Sequence, residues 1–343
     1  MARVGRGLEV LGTGRYRLDA TGVGLRLLRL RPDGRYDKTL MRRISIGSWA
    51  YTIGPYADKP VDFDTVGSRL SALGFDGLEL GGFTPHPNPD DCPEESQRDG
   101  VVAKMREWGL EFSGLAANLW GEKLVNTDDQ AQYVCEFTKN AAFCRDLGIK
   151  GIRVDTVQPP TVLAEVDYDT VFGRIVDTWR TCNQIAKDHG LYLTWEFEPG
   201  FVLNKPSDVV AVLDAIDDDN FGVLYDTSHG HMVAVVGARQ PGAKETLAGG
   251  QVEFIDKLSG RINHIHLIDS DNSCHKNEHG EDETSMHLPF GDGVIDFPPI
   301  LERLAAQQLP HDWWTVDLCF WPDAWEATAR CKMAMDGFVR EYQ

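Results

Sequence analysis

The chain has 343 residues, 42% of them hydrophobic, and a formal net charge of −19. That length supports one large α/β domain or two ordinary ones with a substantial core. The acidity argues against a nucleic-acid partner, which needs a basic face, and no run approaches the ~20 apolar residues of a membrane helix.

In chain order, the first 40 residues hold nine Lys/Arg against four Asp/Glu. They lack the apolar core of a secretory signal and are expected to form a disordered or loosely attached tail. Domain-like sequence begins at Met41. Seven scattered cysteines, without CxxC spacing, read as reduced thiols of a cytoplasmic protein.

From residue 44 onward, β-rich apolar runs alternate with helix-like stretches. The predicted strands are ISIGSWAY (44–51), GLELGG (77–82), EFSGLAAN (111–118), GIRVDT (151–156), LYLTWEFE (191–198), GVLYDTSH (222–229), INHIHLID (262–269) and WWTVDLCF (313–320). The segments between them are amphipathic, and the first four end in glycine, as helix C-termini prefer. Such alternation forces parallel strands with helical crossovers. Eight units in this length predict a single (β/α)₈ TIM barrel, residues 41–343. No GxGxxG follows the first strand, so a dinucleotide fold loses ground.

Polar residues concentrate at the ends of the last four strands. Glu196 and Glu198 alternate with Trp195 and Phe197, so the two acids share a face. Asp226 ends the sixth strand, His264 and His266 share a face of the seventh, and Asp317 comes late in the eighth. Buried charges need a partner. Mixed oxygen and nitrogen donors at one barrel mouth suit a divalent ion such as Mn²⁺, Mg²⁺, Co²⁺ or Zn²⁺. Glu79 reads as a rim residue or an outer support of that site. CHKNEH (274–279) has a zinc-like look but lies in a polar loop, and the long segment 269–287 is a candidate lid.

EFEP on the fifth strand, YDTSH on the sixth, HIHLID on the seventh and HLPFGDGVIDF (287–297) resemble the xylose isomerase-like TIM barrels, the sugar isomerase and epimerase superfamily. The likeness covers residues 44 to about 335. It implies one divalent metal, most often manganese, held by Glu196, Asp226, His266 and Asp317. Three departures stand out: Asp317 where the family has glutamate, Asn272 where ketohexose epimerases carry an arginine, and the extra acid Glu198. Within the superfamily, WEFEPGFVLNKPSD and WWTVDLCFWP resemble the catalytic subunit of bacterial C-glycoside deglycosidases. That likeness implies cleavage of the carbon–carbon bond between a 3-oxo-sugar and an aromatic aglycone, with a small second subunit in an oligomer. The alternative is a sugar isomerase, an epimerase or an inosose-type dehydratase.

The resemblance makes His229 the first candidate base, with a ligand-orienting role as its alternative, and Glu198 and His264 secondary candidates. Trp49, Asn118, Trp120 and Trp321 are expected to wall the substrate, with His287 reaching in from the lid. An abasic-site endonuclease shares the barrel but needs more histidines and a basic face. A non-catalytic barrel would be expected to lose donors, and all four positions keep them.

Overall fold

The computed structural model describes residues 8–11, 14–19, 26–30, 36–37, 42–277 and 279–342. Eight strands run in the order the sequence predicts: β1 (Arg43–Ile46), β2 (Gly77–Gly81), β3 (Glu111–Ala116), β4 (Gly151–Val154), β5 (Tyr192–Glu196), β6 (Phe221–Asp226), β7 (Ile262–Leu267) and β8 (Trp313–Val316). They pair in the order β1-β8-β7-β6-β5-β4-β3-β2, every pair parallel. A single parallel bridge, Gly47 to Glu79, joins the two ends. The result is a nearly closed (β/α)₈ barrel.

Each strand is followed by a helix: α1 (Phe63–Ala72), α2 (Glu95–Trp108), α3 (Ala131–Leu147), α4 (Tyr168–Asp188), α5 (Pro206–Ile216), α6 (Gly250–Lys257), α7 (Phe297–Ala305) and α8 (Ala324–Glu341). Asp62 and Asp167 cap α1 and α4 by accepting from the backbone N–H of Thr65 and Thr170, both at 2.9 Å; such caps contribute about 1 kcal/mol each. None of the helices among the described residues is long and apolar enough to cross a membrane.

Side-chain alternation along the strands sorts residues into a shell and a bore. On the shell side Trp195 packs on Trp179 of α4, ring centroids 5.2 Å apart, and Phe197 packs on Phe254 of α6 at 5.3 Å. The bore is polar. Ser45 and Thr315 share a 2.7 Å hydrogen bond. Glu79 on β2 meets His264 and His266 on β7, and since those strands are not neighbours, the contact must cross the interior.

The strands end sooner than their apolar runs. Trp49 falls in a 3-10 turn, Ser48–Tyr51; Glu198 and Asp317 lie just past β5 and β8. Two connections are long. After β6 comes a short helix, Thr227–His231, and a π turn, Met232–Val236. After β7 the chain forms a hairpin, Cys274–Lys276 against Asp282–Ser285. Its base is fixed by Asp269, which accepts from the backbone N–H of Gly291, Gly293 and Ile295 at 3.0–3.1 Å. A Cβ on Gly293 would collide with that carboxylate. The GDG sequence is therefore a wrap around one aspartate.

The expected tail, residues 1–40, lies mostly outside the described residues, as does Met41. Where it is described, it is paired and not formless. Leu8–Leu11, Gly14–Asp19, Arg26–Leu30 and Tyr36–Asp37 form an antiparallel sheet in sequence order. The polar–apolar alternation of RYRLD is the period a strand requires.

Candidate metal centre and active site

Three of the four expected donors, Glu196, His266 and Asp317, come together at the C-terminal end of the bore, and Asp226 falls in a separate group with His229 and His287. Arg153 on β4 donates to Glu196 Oε2. The backbone N–H of His229 donates to Asp226 Oδ1 at 2.8 Å. Glu79 Oε2 takes His266 Nε2 at 3.0 Å, and the Trp49 indole donates to Asp317 Oδ1 at 2.5 Å. The atoms left over are Glu196 Oε1, Asp226 Oδ2, His266 Nδ1 and Asp317 Oδ2. The first three are buried with no hydrogen-bond partner. His266 Nδ1 lies 3.1 Å from Glu196 Oε1 and 3.4 Å from Asp317 Oδ2, and these donors fall within 4.8 Å of one another. Buried polar atoms are almost always paired, so the unpaired Glu196 Oε1 and His266 Nδ1, together with Asp317, fit a cation held by monodentate ligands.

The charges agree. Burial and then Asp317 push the Asp226 carboxyl well above the ordinary carboxylate range. Burial would raise Glu196 too, but Arg153 and His266 outweigh it and hold it low. Burial would lower His266, yet Glu79, Asp317 and Glu196 raise it well above the ordinary histidine range. The carboxylates of Glu79, Glu196, Asp226 and Asp317 are buried around one guanidinium, Arg153, and a cation would offset that excess of negative charge. A second group, Asp226, His229 and His287, also comes within ligand distance.

Those histidines face a cavity of about 490 Å³ lined also by Trp49, Phe83, Trp120, Glu198, Phe201 and Phe320. His229 Nδ1 is held by Ser285 Oγ of the hairpin at 2.8 Å, and its ring lies 4.9 Å from that of His287. Burial, then His287, lowers His229 to about 3. Glu198 accepts from the Thr284 hydroxyl; burial and the charge of Glu196 raise it to about 8. The hairpin is therefore a roof, since Glu283 and Thr284 line the cavity directly. His275 stacks on Phe320 with centroids 3.8 Å apart.

Not every expected residue arrives. Trp49 and Trp120 line the cavity, but Asn118 is exposed and Trp321 packs against the core. His264 sits one layer deeper than His266, opposite Leu224 rather than Asp226, away from the residues that line the cavity. Shared parity gives a common face, not a common depth. Asn272 bonds His231 at 2.6 Å, and His287 lines the cavity. No group able to hold a metal among the described residues includes Cys274, His275 or His279. Glu79 is no rim residue, being 1% exposed beneath His266. Arg153 escaped the sequence reading. A cation inside the apolar run GIRVD was the signal, since an unpaired buried guanidinium is as costly as an unpaired carboxylate.

The sequence model of the xylose isomerase-like TIM barrel family matches residues 68–333, and the chain belongs to that family. An inosose dehydratase of Yersinia enterocolitica serotype O:8 / biotype 1B is 24% identical over 277 residues, covering 75% of this chain and 82% of its own. Among solved structures, the IolI protein with a bound zinc atom superposes with a TM-score of 0.64 at 18% identity, over 88% of this chain and 99% of its own. The 3-keto-D-glucoside 4-epimerase YcjR from E. coli gives 0.60 at 16% identity, over 87% and 99%. These two likenesses are of fold.

Proposed function

We propose that this protein is a divalent-metal-dependent enzyme that removes the proton beside the carbonyl of an oxo-sugar or oxo-cyclitol and then eliminates water. The observation that carries the proposal is the buried cluster of Glu196, His266 and Asp317, whose ligand atoms lie within 4.8 Å of one another, with Asp226 in an adjoining group with His229 and His287. Similarity to an inosose dehydratase supports the choice of elimination. Glu196, Asp226, His266 and Asp317 would hold the ion, which when bound supplies Lewis acidity to a carbonyl and its neighbouring hydroxyl.

His229 is the base. Its ring is fixed by Ser285 beside the donors, and burial keeps it uncharged at neutral pH and so able to accept a proton. Glu198 lines the same cavity and, held protonated by burial beside Glu196, can return a proton to the departing hydroxyl. Two groups whose environments drive their pKa values apart suit the base and acid roles of an elimination. His287, with both ring nitrogens unpartnered, is placed to bind substrate oxygens.

The aromatic rim favours a second reading. Phe83 and Trp120 lie 5.8 Å apart at the opening, and Trp120 is 44% exposed. Such a rim suits an aryl substituent, and the same proton removal from a 3-oxo-C-glycoside would expel an aryl carbon instead of water. A small second subunit, an oligomer, manganese as the working ion and a cytoplasmic setting belong to that reading.

The test is incubation with an inosose and, separately, a 3-oxo-C-glucoside, in D₂O with Mn²⁺. Water loss from the inosose that stops with chelator and returns with Mn²⁺ is expected. Faster release of aglycone would install the second reading. Deuterium uptake beside the carbonyl with no loss of either group would point to an epimerase or isomerase, and no uptake from either substrate would overturn the proposal.

A further inference from the structure

Behind the metal donor His266, the side chains of Glu79, His264 and His311 form a directed hydrogen-bond chain. At its far end the backbone N–H of Trp313 donates to His311 Nδ1 at 2.9 Å. A nitrogen that accepts carries no proton in a neutral ring, so the His311 proton sits on Nε2. A second contact demands the same: His311 Nε2 lies 2.9 Å from the Asn263 carbonyl, which can only accept. His311 Nε2 is also 2.9 Å from His264 Nδ1. His264 Nδ1 must then accept, from His311 and from the Tyr192 hydroxyl at 3.3 Å. That leaves the His264 proton on Nε2, 2.7 Å from Glu79 Oε2. The same oxygen receives His266 Nε2 at 3.0 Å, which leaves His266 Nδ1, facing Glu196 and Asp317, as the nitrogen a metal would take.

We propose that Glu79, His264 and His311 are positioning residues that fix the tautomer of His266, so that Nδ1 is the metal-binding nitrogen. The inference rests on the metal reading above. It gives His264 a role that its depth allows. The chain runs from a main-chain amide that can only donate to a carboxylate, and the His311 Nε2 proton is shared between His264 Nδ1 and the Asn263 carbonyl, each at 2.9 Å. Glu79 also supplies the negative charge that strengthens a ligating imidazole through its opposite nitrogen. Outer partners of this kind are worth about 10–100-fold in metal affinity.

The test is made on the full chain with ¹⁵N-labelled histidine, loaded with Zn²⁺ alone. Long-range ¹H–¹⁵N spectra should show the His266 proton on Nε2 and a metal-shifted Nδ1, with His264 and His311 also protonated on Nε2. Zinc bound through Nε2 of His266, or a proton on Nδ1 of His264, would overturn the inference. Calorimetric titration with Mn²⁺ supplies the second arm. Glu79→Gln should bind about 10–100-fold more weakly than the wild type, and His311→Gln should lose less. Equal affinity of wild type and Glu79→Gln would remove the role of Glu79 while leaving the metal site standing. A wild type that binds neither ion would sink the metal reading, and this inference with it.

Discussion

The two faces of the same strands are built to opposite ends. On β5, Leu193 and Trp195 are buried against the helices while Thr194 and Glu196 are buried toward the bore; on β7, Ile265 and Leu267 alternate with His264 and His266. Both faces exclude water. The shell gains from apolar contact, roughly 25 cal/mol per Å² removed from water. The bore instead holds Glu79, Arg153, Glu196, Asp226, His266 and Asp317 at 9% exposure or less, where each charge stands only because another group meets it. The contrast separates stability from chemistry within one strand, and a pair of adjacent residues can test it.

The largest effects belong to the bore. Glu196→Ala or Asp226→Asn should abolish metal binding and lower activity by more than the 10–100-fold typical of an outer partner, as read by metal analysis and by turnover of the oxo-substrate. Next comes His229→Gln. It should reduce kcat by about 10²–10⁴ while metal stoichiometry stays at that of the wild type; loss of the ion as well would make His229 a ligand and not the base.

A shell substitution should do the reverse. Trp179 is fully buried against Trp195 and Phe221, so Trp179→Ala should cost about 3–5 kcal/mol of stability. Denaturant unfolding would show it, and Mn²⁺ affinity of the remaining folded protein should hardly move. The smallest effect is the most diagnostic. Asp226 has its pKa raised on folding. The metal-free folded state therefore carries a penalty that is absent below its ordinary range and grows as pH climbs toward the folded value. Asp226→Asn should thus melt slightly higher than wild type at neutral pH when both are metal-free, and at acid pH the difference should vanish. An equal or lower melting temperature at neutral pH would contradict the strained bore.

Much of this was legible in the sequence, for physical reasons. The barrel showed because strand and helix periods alternate eight times, and candidate donors could be named because four successive strand ends each carried a carboxylate or imidazole. Depth did not show. His264 and His266 look equivalent two residues apart, yet one rise along the bore puts the first beneath Glu79 and the second beside Glu196. Arg153 was hidden because a cation in an apolar run is legible only once its acid is known.

The central claim is that the bore holds one divalent cation on Glu196, Asp226, His266 and Asp317. The most direct measurement is the metal content of the purified chain after titration with Mn²⁺ and removal of excess, set against Asp226→Asn. One ion per wild-type chain and none in the variant is the predicted result. No ion in the wild type, or two that survive the loss of Asp226, would contradict it.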